Sequence, residues 1–379
     1  MKIRSIRAIP VHVPVSPPRV SSLGTFNGYD YAVVIIETDS GLQGIGEIST
    51  LWDGTSAVQC VIVEHVLAPA LIGLDPRRIN VARRRMEMLK ESGLPARAGI
   101  EMALFDLAGK ALGAPVHDLL GGMTRERVTL SRSIHMAPLE QLRANAQQYV
   151  ADGFGCVKVK VGRSIDDDVA AVAAVRDAVG PQTLIRVDAN MSWRSAKEAA
   201  HHIARLSEFD LHSVEQPIAP GHIEEMKLLR GLSAVPIMAD ESVWGAGEAW
   251  ELLRQGAVDL LNVYVAESGG LAEAALIFRM AELAGVNCVI GAMPELGIGT
   301  SAAVHLGVSV GVLDDPCDAS GAMYQQHDVI HERFDIVDGT IAPLPGPGLG
   351  VTLDLDRVEE FAVRPGDRSA DATVGALAR

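Results

Sequence analysis

The chain has 379 residues, of which 48% are hydrophobic, and its formal net charge is −15. That length suffices for two or three packed domains. The acidic balance argues against binding to nucleic acid or to an anionic membrane surface, because both require basic patches. No stretch approaches the roughly 18 apolar residues of a membrane span, and no secretory signal is evident. The four cysteines form no C-x-x-C pair and indicate free thiols in a reducing compartment, so we expect a cytoplasmic protein.

Residues 1–125 predict a small α+β unit in which strands precede helices. Alternating apolar residues near the N-terminus and the later run YAVVIIET indicate strands. Between them, residues 16–30 are rich in Pro, Gly and Ser, which favours a mobile loop that could act as a lid. Residues 55–120 have apolar residues at helical spacing, and Gly113 is a helix stop signal.

From residue 126 to residue 320, short β-rich runs alternate with helical stretches. Eight such steps, at about 25-residue spacing, predict an α/β fold of the (β/α) barrel type. A doubly wound sheet would give the same alternation, but no G-x-G-x-x-G follows the first strand of this region. Residues 321–379 return to β and turn signals. We expect them to pack back on the N-terminal unit, with a frayed tail after Arg364.

Three carboxylates end three successive predicted strands. Asp188, Glu215 and Asp240 are separated by 27 and 25 residues, which is one strand–helix unit each. Because the carboxyl ends of barrel strands face the active site, the three side chains should meet there and repel one another. A divalent cation would relieve this repulsion. Ligation by oxygen atoms alone selects Mg²⁺ or Mn²⁺ over zinc. The alternative is that each acid only caps the helix that follows it.

Two lysines lie on the strand before these carboxylates. Lys158 and Lys160 alternate along KVKVG, so both side chains point to one face of the strand. If that face is the barrel interior, each ammonium lowers the pKa of the other, and burial lowers it further. A lysine of lowered pKa can act as a general base, and beside Mg²⁺ it could remove the proton next to a substrate carboxylate. The alternative is an exposed strand with Val159 facing the core.

The chain resembles the enolase superfamily, and within it the muconate-lactonizing (muconate cycloisomerase) subgroup, over nearly all of residues 1–365. The mandelate racemase subgroup fits less well, since it would have a histidine where this chain has GAM at 291–293. The resemblance rests on ETDSGLQGIGE, AGIEMALFDLAGKALGAPVHDLLGG, KVKVG, RVDAN, VEQP, ADES, ESGGL and PGPGLGV.

This resemblance implies a fold, a cofactor and a set of roles. The fold would be a modified (β/α)7β TIM-like barrel under an N-terminal α+β capping domain, with residues 16–30 gating the substrate. The triad Asp188, Glu215 and Asp240 would ligate Mg²⁺, Lys160 would be the base and Lys158 would assist it. The substrate would be a small carboxylic acid, whose proton leaves to give a metal-stabilised enediolate. Members are often homo-oligomers.

One position departs from the family pattern. The subgroup usually has a second catalytic lysine at the end of the sixth strand, where this chain has Tyr264, with Glu267 nearby. Tyrosine is a poor base, since its ordinary pKa is about 10. We therefore expect β-elimination or cycloisomerisation through Lys160 alone. A racemase or epimerase that uses Lys160 and Tyr264 is the second possibility, a pocket-shaping Tyr264 is a third, and a non-catalytic binding protein is a fourth.

Further residues near the predicted strand ends are candidates for supporting roles. Asn190 and Glu241 could orient the metal ligands or the base. Asp318 matches an acidic family position that contacts substrate, although it could be a structural cap. Ser133 and Met293 are further candidate substrate contacts, as is Ser131. His135, near the end of the first strand, could also touch substrate, although we expect a structural role for it, as for His305. We assign no role to Glu295.

Overall fold

The protein is described from a computed structural model that covers residues 1–49, 56–89 and 93–364. The tail predicted to fray after Arg364 lies outside these described residues. The strands are β1 (Ile3–Ser21), β2 (Gly24–Thr38), β3 (Gln43–Ser49), β4 (Val128–Thr129), β5 (Arg132–Ile134), β6 (Cys156–Lys160), β7 (Leu184–Asp188), β8 (Ser213–Glu215), β9 (Ile237–Ala239), β10 (Leu260–Val263), β11 (Asn287–Ile290), β12 (Ile336–Val337) and β13 (Thr340–Ile341). The helices are α1 (Ser56–Val61), α2 (Ala68–Leu71), α3 (Ile79–Glu87), α4 (Leu94–Leu112), α5 (Val116–Leu119), α6 (Leu139–Ala151), α7 (Ile165–Val179), α8 (Ala196–Leu206), α9 (Ile223–Leu232), α10 (Ala246–Gln255), α11 (Leu271–Ala284), α12 (Gly297–Ser309) and α13 (Leu355–Phe361).

The N-terminal unit is an antiparallel sheet of order β1-β2-β3 that packs on α4. The central strand β2 has a continuous apolar run because both of its faces are covered. Val33 and Ile35 belong to a core shared with the barrel, whereas Val34 and Ile36 belong to a second core with the N-terminal helices. The alternation of side chains along one strand therefore joins the two cores.

Residues 16–30 form a β-hairpin, so the prediction of a loop there is wrong. β1 and β2 pair from Ile3 to Ser21, with a small irregularity between Ile3 and Ser5 and a longer interruption between Pro14 and Arg19. Proline cannot donate to a strand ladder, and Pro17 and Pro18 fall inside that interruption. The prolines that suggested a loop thus lie in an irregular stretch of an otherwise paired hairpin.

The second unit is a parallel sheet of seven strands in the order β5 to β11, with helices between successive strands. An eighth strand was predicted at VLDDP, but only an isolated parallel bridge between Cys317 and Leu130 forms there. The bridge still closes the sheet: Asp318 N donates to Ile290 O (2.8 Å), and Ser131 N donates to Cys317 O (2.7 Å). The predicted α/β barrel with a capping unit is confirmed.

Two buried carboxylates connect the N-terminal unit to the rest of the chain. Glu47 of β3 accepts hydrogen bonds from the backbone N–H groups of Leu296 (2.9 Å) and Gly299 (2.8 Å), at the start of α12. Asp106 of α4 accepts from Ile45 N and from Leu349 N, both at 3.0 Å. Acidic groups are favourable at a helix N-terminus, so Glu47 both satisfies orphan donors and fixes the unit above the barrel.

We expect Gly46→Ala to destabilise the protein by about 3 kcal/mol, because overpacking a rigid contact has a cost of this order. A Cβ at position 46 would lie 1.9 Å from the Gly99 carbonyl oxygen, so backbone would have to move. Gly231→Ala in α9 is the control, since a Cβ there meets nothing within 4 Å. Urea unfolding should show a large loss in the free energy of unfolding for Gly46→Ala and no loss for Gly231→Ala. Equal midpoints would contradict the close approach of β3 and α4.

Among the described residues, no helix combines the length and hydropathy that crossing a lipid bilayer requires.

Candidate active site

Successive barrel strands place the three predicted metal ligands side by side. Asp188 ends β7 and pairs in register with Glu215 at the end of β8, and Asp240 directly follows β9. Each of the three offers a carboxylate oxygen, and these oxygens lie within 4.8 Å of one another. All three residues are buried, so the barrel collects three acidic groups in one confined place.

The electrostatics of this triad favour a bound cation. Burial, together with the neighbouring carboxylates, raises the pKa of Glu215 and of Asp240 well above the ordinary values. The pKa of Asp188 is instead lowered, because the ammonium groups of Lys160 and Lys158 outweigh the effect of burial. Glu215 Oε2 is buried and has no hydrogen-bond partner among the described residues. Oxygen donors with an unsatisfied atom fit Mg²⁺ or Mn²⁺, as predicted from the sequence.

Both lysines of β6 point into the barrel toward the carboxylates. Lys158 Nζ donates to Glu215 Oε1 (2.9 Å) and contacts Asp318, while Lys160 Nζ contacts Asp188 and donates to Asn190 Oδ1 (3.0 Å). The expected lowering of the lysine pKa values is not found. Burial lowers both pKa values, but the adjacent carboxylates raise them by a larger amount. Both lysines therefore have a pKa above the ordinary value.

Tyr264 follows β10 and lines the same cavity. Its hydroxyl accepts a hydrogen bond from Asn262 Nδ2 (3.3 Å). The ring lies against Gly291, where a Cβ would be 2.3 Å from ring Cζ, so the glycine leaves room for tyrosine. Burial and the charges of Asp240 and Glu267 raise the pKa of Tyr264 well above its ordinary value, which keeps the hydroxyl protonated.

Asn190 and Glu241 line the cavity together with Asp240, and Asn190 connects Glu241 to the triad. Asn190 N donates to Asp188 Oδ1 (2.9 Å), and Asn190 Nδ2 donates to Glu241 Oε1 (3.0 Å). Burial and the charge of Asp188 raise the pKa of Glu241 to about 7. Asp318 contacts Lys158 and the hydroxyl of Ser131. Although burial opposes it, Lys158 and Arg186 lower the pKa of Asp318 to about 2, so this group stays charged.

The remaining predicted residues separate into two groups. Ser133 and Met293 line the cavity, as does His135, for which a structural role was the favoured of two expectations. Glu295 is buried and accepts from Met293 N (3.0 Å), so it shapes the loop after β11. His305 packs in α12 against His117, with ring centroids 5.1 Å apart, and does not line the cavity.

The cavity lies between the two units and is partly open to solvent. The hairpin of β1 and β2 covers it, and Tyr324, from a short helical turn at Gly321–Tyr324, closes one side. Arg19 and Tyr324 were missed because neither belongs to a motif or ends a barrel strand. The hairpin contributes Arg19, Ser21, Leu23, Phe26 and Tyr29.

Comparison with known families covers most of the chain. The model for the mandelate racemase / muconate lactonizing enzyme N-terminal domain matches residues 3–121. The model described as enolase C-terminal domain-like matches residues 141–358, which is more than half of the chain. The two matches correspond to the N-terminal unit and to the barrel with its C-terminal segment.

Individual relatives show the same similarity over their full length. An N-succinyl-L-Arg/Lys racemase of Bacillus cereus is 29% identical, covering 96% of this chain and 98% of the relative. The crystal structure of a muconate lactonizing enzyme from Pseudomonas fluorescens, complexed with muconolactone, has a TM-score of 0.92 and 30% identity, covering 95% and 99%. A dipeptide epimerase from Enterococcus faecalis, complexed with Mg and the dipeptide L-Leu-L-Tyr, has a TM-score of 0.88 and 30% identity, covering 93% and 100%.

These matches agree with the barrel, the capping unit and the buried acidic triad. The relatives are isomerases, namely racemases, epimerases and cycloisomerases. The chain belongs to the mandelate racemase/muconate lactonizing enzyme family of the enolase superfamily and is an enzyme.

Proposed function

We propose that this enzyme removes the proton next to a substrate carboxylate, with Lys160 as the base and a divalent cation at Asp188, Glu215 and Asp240. The observation that carries the proposal is the position of Lys160 Nζ, which lies against Asp188 and lines the cavity. A magnesium ion, when bound, supplies positive charge that stabilises the negative charge gathering on the substrate carboxylate as the proton leaves.

The protein's own groups complete the proton transfer. Lys160 must be neutral to accept a proton, and its pKa is raised chiefly by Asp188. A carboxylate that shares its charge with a cation attracts the ammonium less, which favours the neutral amine. Lys158 lies deeper in the barrel, where its ammonium pairs with the carboxylates of Glu215 and Asp318. It adds a fixed positive charge beside these carboxylate oxygens.

The reaction that follows is a β-elimination or a cycloisomerisation that uses one base. The electron pair of the broken C–H bond then expels a leaving group from the adjacent carbon. When that group is a ring oxygen, its departure opens the ring. In the closing direction, an oxygen adds to the carbon–carbon double bond and protonated Lys160 gives its proton to the α-carbon. The support is Tyr264, whose raised pKa keeps its hydroxyl protonated and so unable to act as a base. A lyase or cycloisomerase outcome needs nothing further on that face.

A racemase or epimerase is the second candidate. It is favoured by the place of Tyr264 in the cavity wall and by relatives that are racemases and epimerases. In that reaction Tyr264 would return a proton to the face opposite Lys160.

Tyr264→Phe distinguishes the two candidates. For the one-base reaction, we expect Mg²⁺-dependent exchange of the substrate α-proton in D₂O, and product formation, to stay within about tenfold of wild type, because only the hydrogen bond from Asn262 is lost. The measurement is NMR of carboxylic acids from each relative's substrate class. Exchange that persists while inversion of configuration falls by about 10² or more would instead establish the epimerase.

A further inference from the structure

Two histidines meet where the N-terminal unit, the barrel and the C-terminal segment join. His117 of α5 and His305 of α12 are stacked, and their Nδ1 atoms are hydrogen-bonded at 3.0 Å. His305 is 0% exposed, and the side chain of His117 is 12% exposed. A hydrogen bond between two imidazoles needs one donor nitrogen and one acceptor nitrogen. The pair therefore keeps this geometry only while one of the two Nδ1 atoms carries no proton.

The surrounding backbone determines which ring is the acceptor. The backbone N–H of His117 can only donate, and it lies 3.3 Å from His305 Nδ1. The carbonyl oxygen of Leu349 can only accept, and it lies 3.3 Å from His305 Nε2. His305 therefore carries its proton on Nε2, and its Nδ1 accepts from both the backbone and the ring of His117.

The two rings differ in how they respond to a second proton. A proton on His305 Nδ1 would face two donors, both from His117, so the hydrogen bonds between the two residues would be lost. A proton on His117 Nε2 would instead lie 3.6 Å from Asp118 Oδ1, a half-exposed carboxylate. His305 is thus the member of the pair whose protonation the junction cannot accommodate.

No carboxylate is placed to stabilise a positive charge on His305. Among the described residues, its ring has hydrogen-bond contacts only with His117 and Leu349, and it forms no ion pair. Besides His117, the elements that pack closely against α12 carry the ionisable groups Glu47 of β3, Asp118 of α5, Glu273, Arg279 and Glu282 of α11, and Tyr324 of the short helical turn. Asp106 and Lys110 of α4 lie behind Leu349. A charged His305 would therefore be unpaired in the core, which is costly.

We propose that the His117–His305 pair is an acid-sensitive junction, in which uptake of a proton by His305 separates α5 from α12 and from the C-terminal segment. The inference is independent of the proposed reaction. Because the N-terminal unit also carries the hairpin over the cavity, this separation loosens the cover of the cavity. Histidine suits such a switch, since its charge changes within the physiological range of pH.

The direction of the pH effect follows from linkage. Burial and the charge of His117 lower the pKa of His305 from the ordinary 6.5 to about 4 in the folded protein. The separated or unfolded chain therefore binds the proton first. The junction contributes its full stability above about pH 6.5 and loses it as the pH falls toward about 4.

His305→Asn tests the proposal, because asparagine keeps an acceptor close to the position of Nδ1 and does not titrate. Urea unfolding of the full chain is measured at about pH 7.5 and about pH 4.5. Over this range the unfolding equilibrium constant should rise by about 100-fold more in wild type than in His305→Asn, since one extra proton bound on unfolding changes it about tenfold per pH unit. His201→Asn, which removes an exposed imidazole of α8, is the matched control and should behave as wild type does. An equal pH dependence in wild type and His305→Asn would overturn the proposal.

His117→Asn tests which ring takes up the proton. The amide nitrogen of asparagine can replace Nδ1 as the donor to His305, so this variant should keep the acid sensitivity of wild type. If the acid effect disappears in His117→Asn and persists in His305→Asn, the assignment to His305 is wrong.

A measurement on wild type covers the case in which His305→Asn does not fold. Nitrogen-15 NMR of the imidazoles should show the proton of His305 on Nε2 and that of His117 on Nδ1 at about pH 7.5. Hydrogen exchange of α5, corrected for the intrinsic effect of pH, should rise at about pH 4.5 more than that of α9. A proton on His305 Nδ1 at the higher pH, or an equal change in the two helices, would contradict the acid-sensitive junction.

Discussion

The rate of Mg²⁺-dependent α-proton exchange should fall by at least about 10³-fold in Lys160→Ala, because a positioned general base accelerates proton transfer by about this factor. Lys160 lines the cavity beside Asp188, and no other amine among the described residues occupies that side except Lys158, which is held by Glu215 and Asp318. The measurement is deuterium incorporation into the substrate, followed by NMR at saturating Mg²⁺.

The control for this loss is Lys227→Ala, on an exposed face of α9. It removes the same charge without touching the cavity and should exchange as wild type does. Calorimetric binding of the substrate to Lys160→Ala should persist, since the metal ligands remain. If Lys160→Ala exchanges the proton at the wild-type rate, Lys160 is not the base.

Asp240→Asn should abolish the stabilisation that Mg²⁺ confers on folding. A ligand at 100 times its dissociation constant stabilises the folded state by about 2.7 kcal/mol. The variant keeps the shape of the side chain but removes a charge that burial and neighbouring carboxylates disfavour, as the raised pKa of Asp240 shows. Without metal, the variant should therefore be at least as stable as wild type. Thermal unfolding with and without Mg²⁺, and with EDTA, measures both effects.

Asp177→Asn is the control, because Asp177 has 74% side-chain exposure and only a 3.9 Å contact to Arg143. It should respond to Mg²⁺ as wild type does. Activity should be absent in Asp240→Asn at all Mg²⁺ concentrations that restore EDTA-treated wild type. An equal Mg²⁺ shift in the two variants would show that the triad is not the metal site.

Regular spacing explains how much of the site could be predicted. Asp188, Glu215 and Asp240 recur once per strand–helix unit, and parallel register then puts them together. Lys158 and Lys160 share a face because side chains alternate along a strand. The direction of the lysine pKa values was not predictable, since it depends on which carboxylate each amine contacts, and spacing along the chain does not contain that information.

Residues contributed by long-range packing could not be predicted in the same way. Arg19 reaches the cavity only because residues 16–30 form a ribbon, and Pro17 and Pro18 hide that ribbon in the sequence. Tyr324 comes from a short turn far along the chain with no periodicity to mark it. The eighth strand is reduced to one bridge, since hydrogen bonds of Cys317 and Asp318 to both neighbours suffice to close the barrel.

The N-terminal unit is completed by residues that are synthesised much later. Asp106 binds Leu349 N, Val116 N donates to Gly348 O (2.9 Å), and Val11 bridges Ala362. During translation, the first 121 residues leave the ribosome long before these partners exist. A buried Asp106 without Leu349 would leave a charged group partly unsatisfied, so the nascent unit waits for the segment around Leu349. Excising it as a separate module should yield an incomplete fold, and fusions that replace the C-terminal segment should disturb the hairpin over the cavity.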